Sequence, residues 1–272
     1  MKPGDLSDYL TRPYPAEWAM DRLFQRDRPL VIFDIGACEG EETIRFSRKY
    51  PRAIIHTFEP LPENQMLIKQ NFDSFRIERA RLCPLALSDR EGKAKFYVSS
   101  GEPETRFSGE DWNYGNKSSS LLKPSGSDSM PSWIHFGKTI EVSCAKLDDY
   151  CREEGITRID WIHMDVQGAE YQVIEGGREI LKHSRAVWLE TMDEKVYQDQ
   201  KLRWEIEDVF HSMGFRLITS QVRGIEQDQL YLQTRIPSNW PFFLSHRIRQ
   251  TSTSLRMRLG SLKKSLKRAF PL

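Results

Sequence analysis

Apolar runs and amphipathic stretches alternate along this chain. Leu30–Phe33 is an apolar run that leads into Asp34. Gly36 and Gly40 then punctuate a turn, and Glu41–Tyr50 sets Ile44 and Phe46 among charges, as a helix does. A second apolar run, Ala53–Phe58, stops on Glu59 and Pro60. Strand, glycine turn, helix and strand make one βαβ unit with a carboxylate at the end of each strand. Further helices are expected at Pro62–Phe72, Leu147–Glu154, Gly168–Leu181 and Lys201–Met213, the last closed by Gly214. Strands are expected at Ala80–Leu87, Lys93–Val98 (an extra one), Ile140–Cys144, Ile159–Val166, Ala186–Glu190, Phe215–Thr219 and Gln229–Gln233. The pattern predicts an α/β domain with seven main strands, interleaved with helices and ending in a hairpin.

Three stretches lie outside that rhythm. Residues 1–28 form a lead-in in which Pro15–Gln25 reads as a helix, covering the sheet edge or serving as a lid. Residues 99–138, inside a domain taken as 29–235, mix Gly, Ser, Pro and charges with Trp112, Tyr114, Trp133 and Phe136. An insertion of that length is usually functional or disordered, and aromatics argue against pure disorder. Exposed aromatic faces would suit a glycan, and packing back onto the domain is the equal alternative.

Residues 236–272 form a tail. From Gln229 onward there is no Asp or Glu, while nine Lys and Arg side chains give +9 and leave −8 for the rest. Leu255, Leu259, Leu262, Leu266 and Phe270 recur at helical spacing, with Arg256, Lys263, Lys264 and Lys267 off the stripe. A basic amphipathic helix reads as an anchor on an anionic membrane surface, here through residues 246–270. Packing on the acidic body, self-association and nucleic-acid binding are the rivals, and the oligomeric state is left open. There is no run of about 18 apolar residues and no signal-peptide pattern in the charged, proline-broken start. Cys38, Cys83, Cys144 and Cys151 form no CxxC pair. The expected compartment is reducing and cytoplasmic, with peripheral attachment at the inner face of the membrane.

Ligands of open α/β sheets bind at the carboxyl ends of the strands, beside the first glycine turn. An acid about 20 residues past the glycines suits the two ribose hydroxyls of an adenosine. The pattern Asp34-x-Gly36-x-x-x-Gly40 is not the G-x-G-x-x-G of a dinucleotide site, and Glu39, Glu41 and Glu42 would repel a pyrophosphate. A phosphate-free cofactor bearing a sulfonium and an ammonium, S-adenosylmethionine (SAM), fits that charge. Asp34 is then expected at the methionine amino group or its turn, Gly36, Ala37 and Gly40 at close backbone approach, and Glu59 with Pro60 at the ribose. Leu87 and Ser88 fall beside the adenine, although Ser-Asp-Arg-Glu-Gly reads equally well as a plain turn.

The blocks DIGACEG (34–40), FEPLPEN (58–64), ALSDREGKAKFYV (86–98), KLDDY (146–150) and IDWIHMDVQGAEYQVIEGG (159–177) resemble, in this order, the FkbM family of SAM-dependent methyltransferases. The likeness spans about residues 30–190. It implies a Rossmann-like class I methyltransferase fold, a doubly wound, mostly parallel seven-stranded sheet with an antiparallel last strand. It also implies O-methylation of a carbohydrate, glycolipid or glycosylated natural product. Two positions depart from the family's pattern: Cys38 stands where Asn is usual and Gln167 where Glu is usual. Ser118–Leu121 is similar to a Ser-Leu block of the family, which places Ser119 and Ser120 near the substrate.

Methyl transfer to a hydroxyl needs placement and benefits from a nearby base. His163 and Asp165 are two apart on a predicted strand and so share a side. Asp165 at the strand end is the favoured substrate orienter or base and His163 the weaker candidate, since a strand histidine is more often a satisfied core residue. Glu190 and Glu170 are further acids of the same rim, though Glu170 suits a helix's first turn equally well. Asp165, Glu190 and a histidine could hold a divalent metal, but no spacing demands one and none is expected. Methylation of RNA, served by the basic tail, and a non-catalytic scaffold keeping the SAM fold are the alternative functions.

Overall fold

The computed structural model describes residues 6–103 and 114–245. The tail stripe at 255–270 and Trp112 lie outside the described residues. Two short helices, α1 (Leu6–Thr11) and α2 (Glu17–Leu23), precede the organising unit. That unit is β1 (Val31–Ile35), α3 (Glu41–Lys49) and β2 (Ile54–Phe58), followed by α4 (Pro62–Phe75). With β3 (Ala80–Cys83), β7 (Trp161–Met164), β8 (Ala186–Met192), β9 (Phe215–Arg223) and β10 (Glu226–Gln233) they form a seven-stranded sheet ordered β3-β2-β1-β7-β8-β10-β9. Its first five strands are parallel, and β10 lies antiparallel to both β8 and β9. The mostly parallel sheet and the terminal hairpin are as expected.

Strands buried on both faces explain the continuous apolar runs. Alternate residues divide between two cores. Ile32, Trp161, Ala186 and Trp188 face one side, where Tyr14, Met20 and Phe24 of the lead-in cover them. Phe33, Ile162, Val187 and Leu189 face the other, against Tyr150, Phe210 and Tyr231. The lead-in therefore covers a face of the sheet and not its edge, because its apolar side chains meet the two central tryptophans.

A second, three-stranded sheet ordered β4-β6-β5 contains β4 (Ala86–Ser88), β5 (Gly92–Ser100) and β6 (His135–Lys146). Two expectations change here. Ala80–Leu87 is not one strand: Pro84 has no N–H for a ladder, Leu85 N–H turns back to the Cys83 carbonyl (2.9 Å), and the chain crosses from one sheet to the other. Ile140–Cys144 belongs to the longer β6 of this second sheet and not to the main one.

The expected helix at 168–181 is divided into α6 (Glu170–Gly176) and α7 (Arg178–Lys182). At Gly176 a Cβ would stand 1.9 Å from the Ser88 carbonyl oxygen, so a bare backbone is what lets the helix lie against β4. Asp148, on α5 (Leu147–Glu153), then caps α7 by accepting from the N–H groups of Glu179 (3.1 Å) and Ile180 (2.8 Å). α8 (Arg203–Ser212) packs on the hairpin side, and α9 (Trp240–Ser245) ends the described chain. Among the described residues no helix is long and apolar enough to cross a membrane.

Candidate active site

A cleft lies at the carboxyl ends of β1, β2 and β7, closed on its far side by the second sheet and a strap, residues 114–121. Gly36 shapes its floor: with φ +85° and a would-be Cβ 1.8 Å from the Asp165 carbonyl oxygen, only glycine lets the β1 and β7 loops touch. The N–H groups of Gly36 and Ala37 both donate to the Phe58 carbonyl at 3.0 Å, tying the turn to the end of β2. Gly36 lines the cleft. Ala37 is buried against α4, and Gly40, the N-cap of α3, packs on Phe72.

Glu59 and Pro60 line the cleft, as expected of the ribose position. Glu59 is 5% exposed, and its carboxylate accepts from the N–H of Cys38 (2.9 Å) and of Leu61 (2.8 Å). Burial pushes its carboxyl up to about 8, against those N–H groups, which pull it down. The Asn64 side chain also hydrogen-bonds this carboxyl, so of a carboxylate's roughly four acceptor sites about one remains for a ligand hydroxyl. Leu87 lines the cleft with Leu85, Ala86 and Phe96. Ser88 does not, because its hydroxyl donates to Asp89 and its backbone is sealed by Gly176.

Asp34 does not reach the cleft. It is fully buried, accepting from the Thr43 hydroxyl (2.6 Å) and pairing with His163 Nδ1 (2.9 Å). Thr43 in turn meets Thr57 at 2.9 Å, so the network joins β1, β2, β7 and α3. His163 lies near the rings of Tyr14 and Phe46, away from the cleft. Burial lowers its basicity, but the Asp34 hydrogen bond and the charges of Asp34, Glu42 and Asp165 more than offset that and hold it at about 9. His163 and Asp165 do not share a side: the strand ends at Met164, alternation ends with it, and Asp165 turns into the cleft.

Asp165 Oδ1 accepts from Gln167 Nε2 (2.8 Å), and the same amide nitrogen donates to Glu190 Oε2 (3.0 Å). Gln167 thus places one donor between two carboxylates. Its Oε1 accepts from the Tyr197 hydroxyl (3.3 Å), which also donates to the Ser118 carbonyl (2.7 Å). Burial and then the charges of Asp165, Glu226, Glu170 and Asp228 push the Glu190 carboxyl well up. Glu170 holds the loop, its Oε1 accepting from the N–H groups of Val166 and Gly168 at 3.2 Å each. Ser119 lines the cleft; Ser120 is fully buried, exchanging backbone hydrogen bonds with Tyr97. Phe136 of the insertion tucks onto Tyr197. Among the described residues no three His, Cys, Asp or Glu side chains converge as a metal site.

The strap brings two residues that the sequence reading missed. Asn116 Nδ2 donates to Asn64 Oδ1 (3.0 Å) and Glu39 Oε1 (3.2 Å), and Lys117 Nζ pairs with Glu41 Oε1 (2.6 Å), 3.5 Å from Cys38 Sγ. Glu39 and Glu41 stand behind these two lining residues, whereas Glu42 turns away to the Tyr9 hydroxyl. Asn64 lay inside a recognised block (58–64); Asn116 and Lys117, inside the irregular insertion, carried no periodic signal.

The family model for the methyltransferase FkbM domain matches residues 34–217. The chain belongs to the FkbM methyltransferase family. A 2-O-methyltransferase, NoeI of Sinorhizobium fredii, is 35% identical over 214 residues, 79% of this chain and 83% of that protein. The 31-O-demethyl-FK506 methyltransferase FkbM of Streptomyces tacrolimicus is 24% identical over 222 residues, 76% of this chain and 78% of the relative. The crystal structure of the N-terminal domain of EvdMO1 with SAH bound aligns over 84% of each chain at 12% identity and a TM-score of 0.44. As a member of this family the chain is a SAM-dependent methyltransferase.

Proposed function

We propose that this FkbM-family enzyme methylates a hydroxyl of a carbohydrate, free or carried by a lipid or natural product, with SAM held in the cleft beside Glu59. The residues fit that cofactor: Glu59 keeps acceptor capacity for a ribose hydroxyl, Leu85–Leu87 and Phe96 make an apolar wall for a purine, and the described lining residues include no arginine for a phosphate. When bound, SAM supplies an electrophilic methyl group. The observation that carries the reading is Asp165, which lines the same cleft with its carboxylate fixed by Gln167. Its task is to orient the acceptor hydroxyl and to take up the proton released as the new C–O bond forms. One similar protein is named a 2-O-methyltransferase and another a 31-O-demethyl-FK506 methyltransferase, which supports an oxygen acceptor. Acceptors beside Asp165, namely Glu190 on β8 and the Gln167 amide, suit the many donors of a polyol.

The test is methyl transfer from labelled SAM to a panel of sugars and glycolipids, with RNA as a control. Asp165→Asn is expected to lower turnover by about 10²–10⁴-fold while leaving SAM affinity nearly intact. Label entering only RNA, or undiminished turnover by the variant, would overturn the reading.

A further inference from the structure

The lining of the cleft is of two kinds: Leu85, Ala86, Leu87 and Phe96 are apolar, whereas Asn116 and Lys117 are polar and bond to Asn64, Glu39 and Glu41. Lys117 is the one Lys or Arg among the described lining residues. Its ammonium rests on Glu41 Oε1, whose carboxylate also accepts from the Glu39 N–H through Oε2 (2.8 Å). Burial acts to strip Lys117 of its proton, but Cys38, Glu41 and Glu39 more than offset this and hold it above the usual lysine range.

Asn116 is 7% exposed and its Oδ1 has no hydrogen-bond partner. Turning the amide over does not cure this, because Oδ1 would then face the Glu39 carboxylate and Asn64 Oδ1, where Nδ2 now donates twice. A buried acceptor left unmade costs free energy, and one that lines a ligand cleft marks where a donor belongs. The strap that carries both residues is tightly set. Ser99 Oγ donates to the Gly115 carbonyl (2.6 Å) and accepts from the Ser118 N–H (3.1 Å), and a Cβ on Gly115 would stand 2.5 Å from the Gly101 carbonyl oxygen.

Resting on the reading of the cleft as a SAM site, we propose that Lys117 binds the α-carboxylate of the cofactor's amino-acid end and Asn116 Oδ1 accepts from its α-ammonium. A zwitterion needs one cation and one acceptor side by side, and the adjacent residues of the strap supply them. Two consequences follow. The inserted segment completes the cofactor site, so the glycine turn does not hold the amino-acid end by itself. The carboxylates Glu39 and Glu41 also act through Asn116 and Lys117, setting an amide and an ammonium in place.

The experiment is calorimetric binding of two ligands that share the adenosine and differ at the far end: S-adenosylhomocysteine, with the amino-acid group, and methylthioadenosine, without it. The unaltered chain is expected to favour S-adenosylhomocysteine by about tenfold or more, the worth of charge-assisted hydrogen bonds. Lys117→Met is expected to abolish most of that preference while leaving methylthioadenosine affinity within about twofold, with Lys117→Arg restoring part of it. Asn116→Ala is expected to act in the same ligand-selective way. No preference in the unaltered chain, or an equal loss for both ligands in the variants, overturns the assignment while the cofactor site stands. Binding of neither ligand to the unaltered chain overturns the cofactor site and the assignment together.

Discussion

Asp34 and His163 show what burial does to a pair of motif residues. The sequence places Asp34 in the pattern of a cofactor acid, but the side chain is fully enclosed outside the cleft, where it pairs with Thr43 and His163. Removing one partner of such a pair leaves an uncompensated buried charge, which costs about 3–5 kcal/mol, so Asp34 is a structural centre of the βαβ unit. The pair also makes stability depend on pH. His163 titrates at about 9 in the folded chain against an ordinary 6.5. A base whose folded value is raised contributes fully below pH 6.5 and loses that contribution as pH rises through 9. Melting temperature is expected to fall across that window, and Asp34→Asn to remove the histidine's share of the slope. Melting curves of both chains between pH 6 and 9.5 check this; parallel slopes would contradict it. Cys38 and Gln167, the two departures from the family's pattern, both sit at left-handed backbone positions, φ 50° and 54°. Asn tolerates that region better than Cys, and an amide at 167 donates between Asp165 and Glu190 where a carboxylate would add a third like charge.

At the scale of elements, one tyrosine links the strap to the loop that carries Asp165. Tyr197, fully buried, reaches both the Ser118 carbonyl and Gln167 Oε1. Tyr197→Phe is expected to cost about 1–3 kcal/mol by leaving the Ser118 carbonyl without its donor. It is also expected to lower turnover more than a surface change would, since Gln167 then holds Asp165 less firmly. Denaturant unfolding together with initial rates checks both; wild-type values in each would refute the role. Most elements were readable because their faces are buried in a period: the two-sided strands β1, β2, β7 and β8, and the amphipathic α8. The readings that shifted are those decided by a neighbour. Pro84 redirects a run into two sheets, and Gly176 ends α6 where β4 passes. Asp165 leaves its strand's alternation because the strand has already ended.

At the scale of the whole molecule, the cleft belongs to two sheets and a strap that are far apart in the chain. The glycine turn, Glu59 and Asp165 were legible as strand-end residues of a parallel sheet, where ligands gather. Asn116, Lys117 and Phe96 were not, since nothing local to the insertion or to β5 says which part of the main sheet they will face. Ala37, Gly40 and Ser88, expected at the cofactor, are not among the residues that line the cleft. The central claim of the proposed function is that an adenosine-bearing sulfonium cofactor sits with its ribose on Glu59. Calorimetric titration of SAM into the unaltered chain and into Glu59→Ala tests it most directly. The account predicts saturable one-to-one binding to the first and affinity weaker by about tenfold or more for the second. Absence of binding to the unaltered chain, or equal affinity for both, would contradict it.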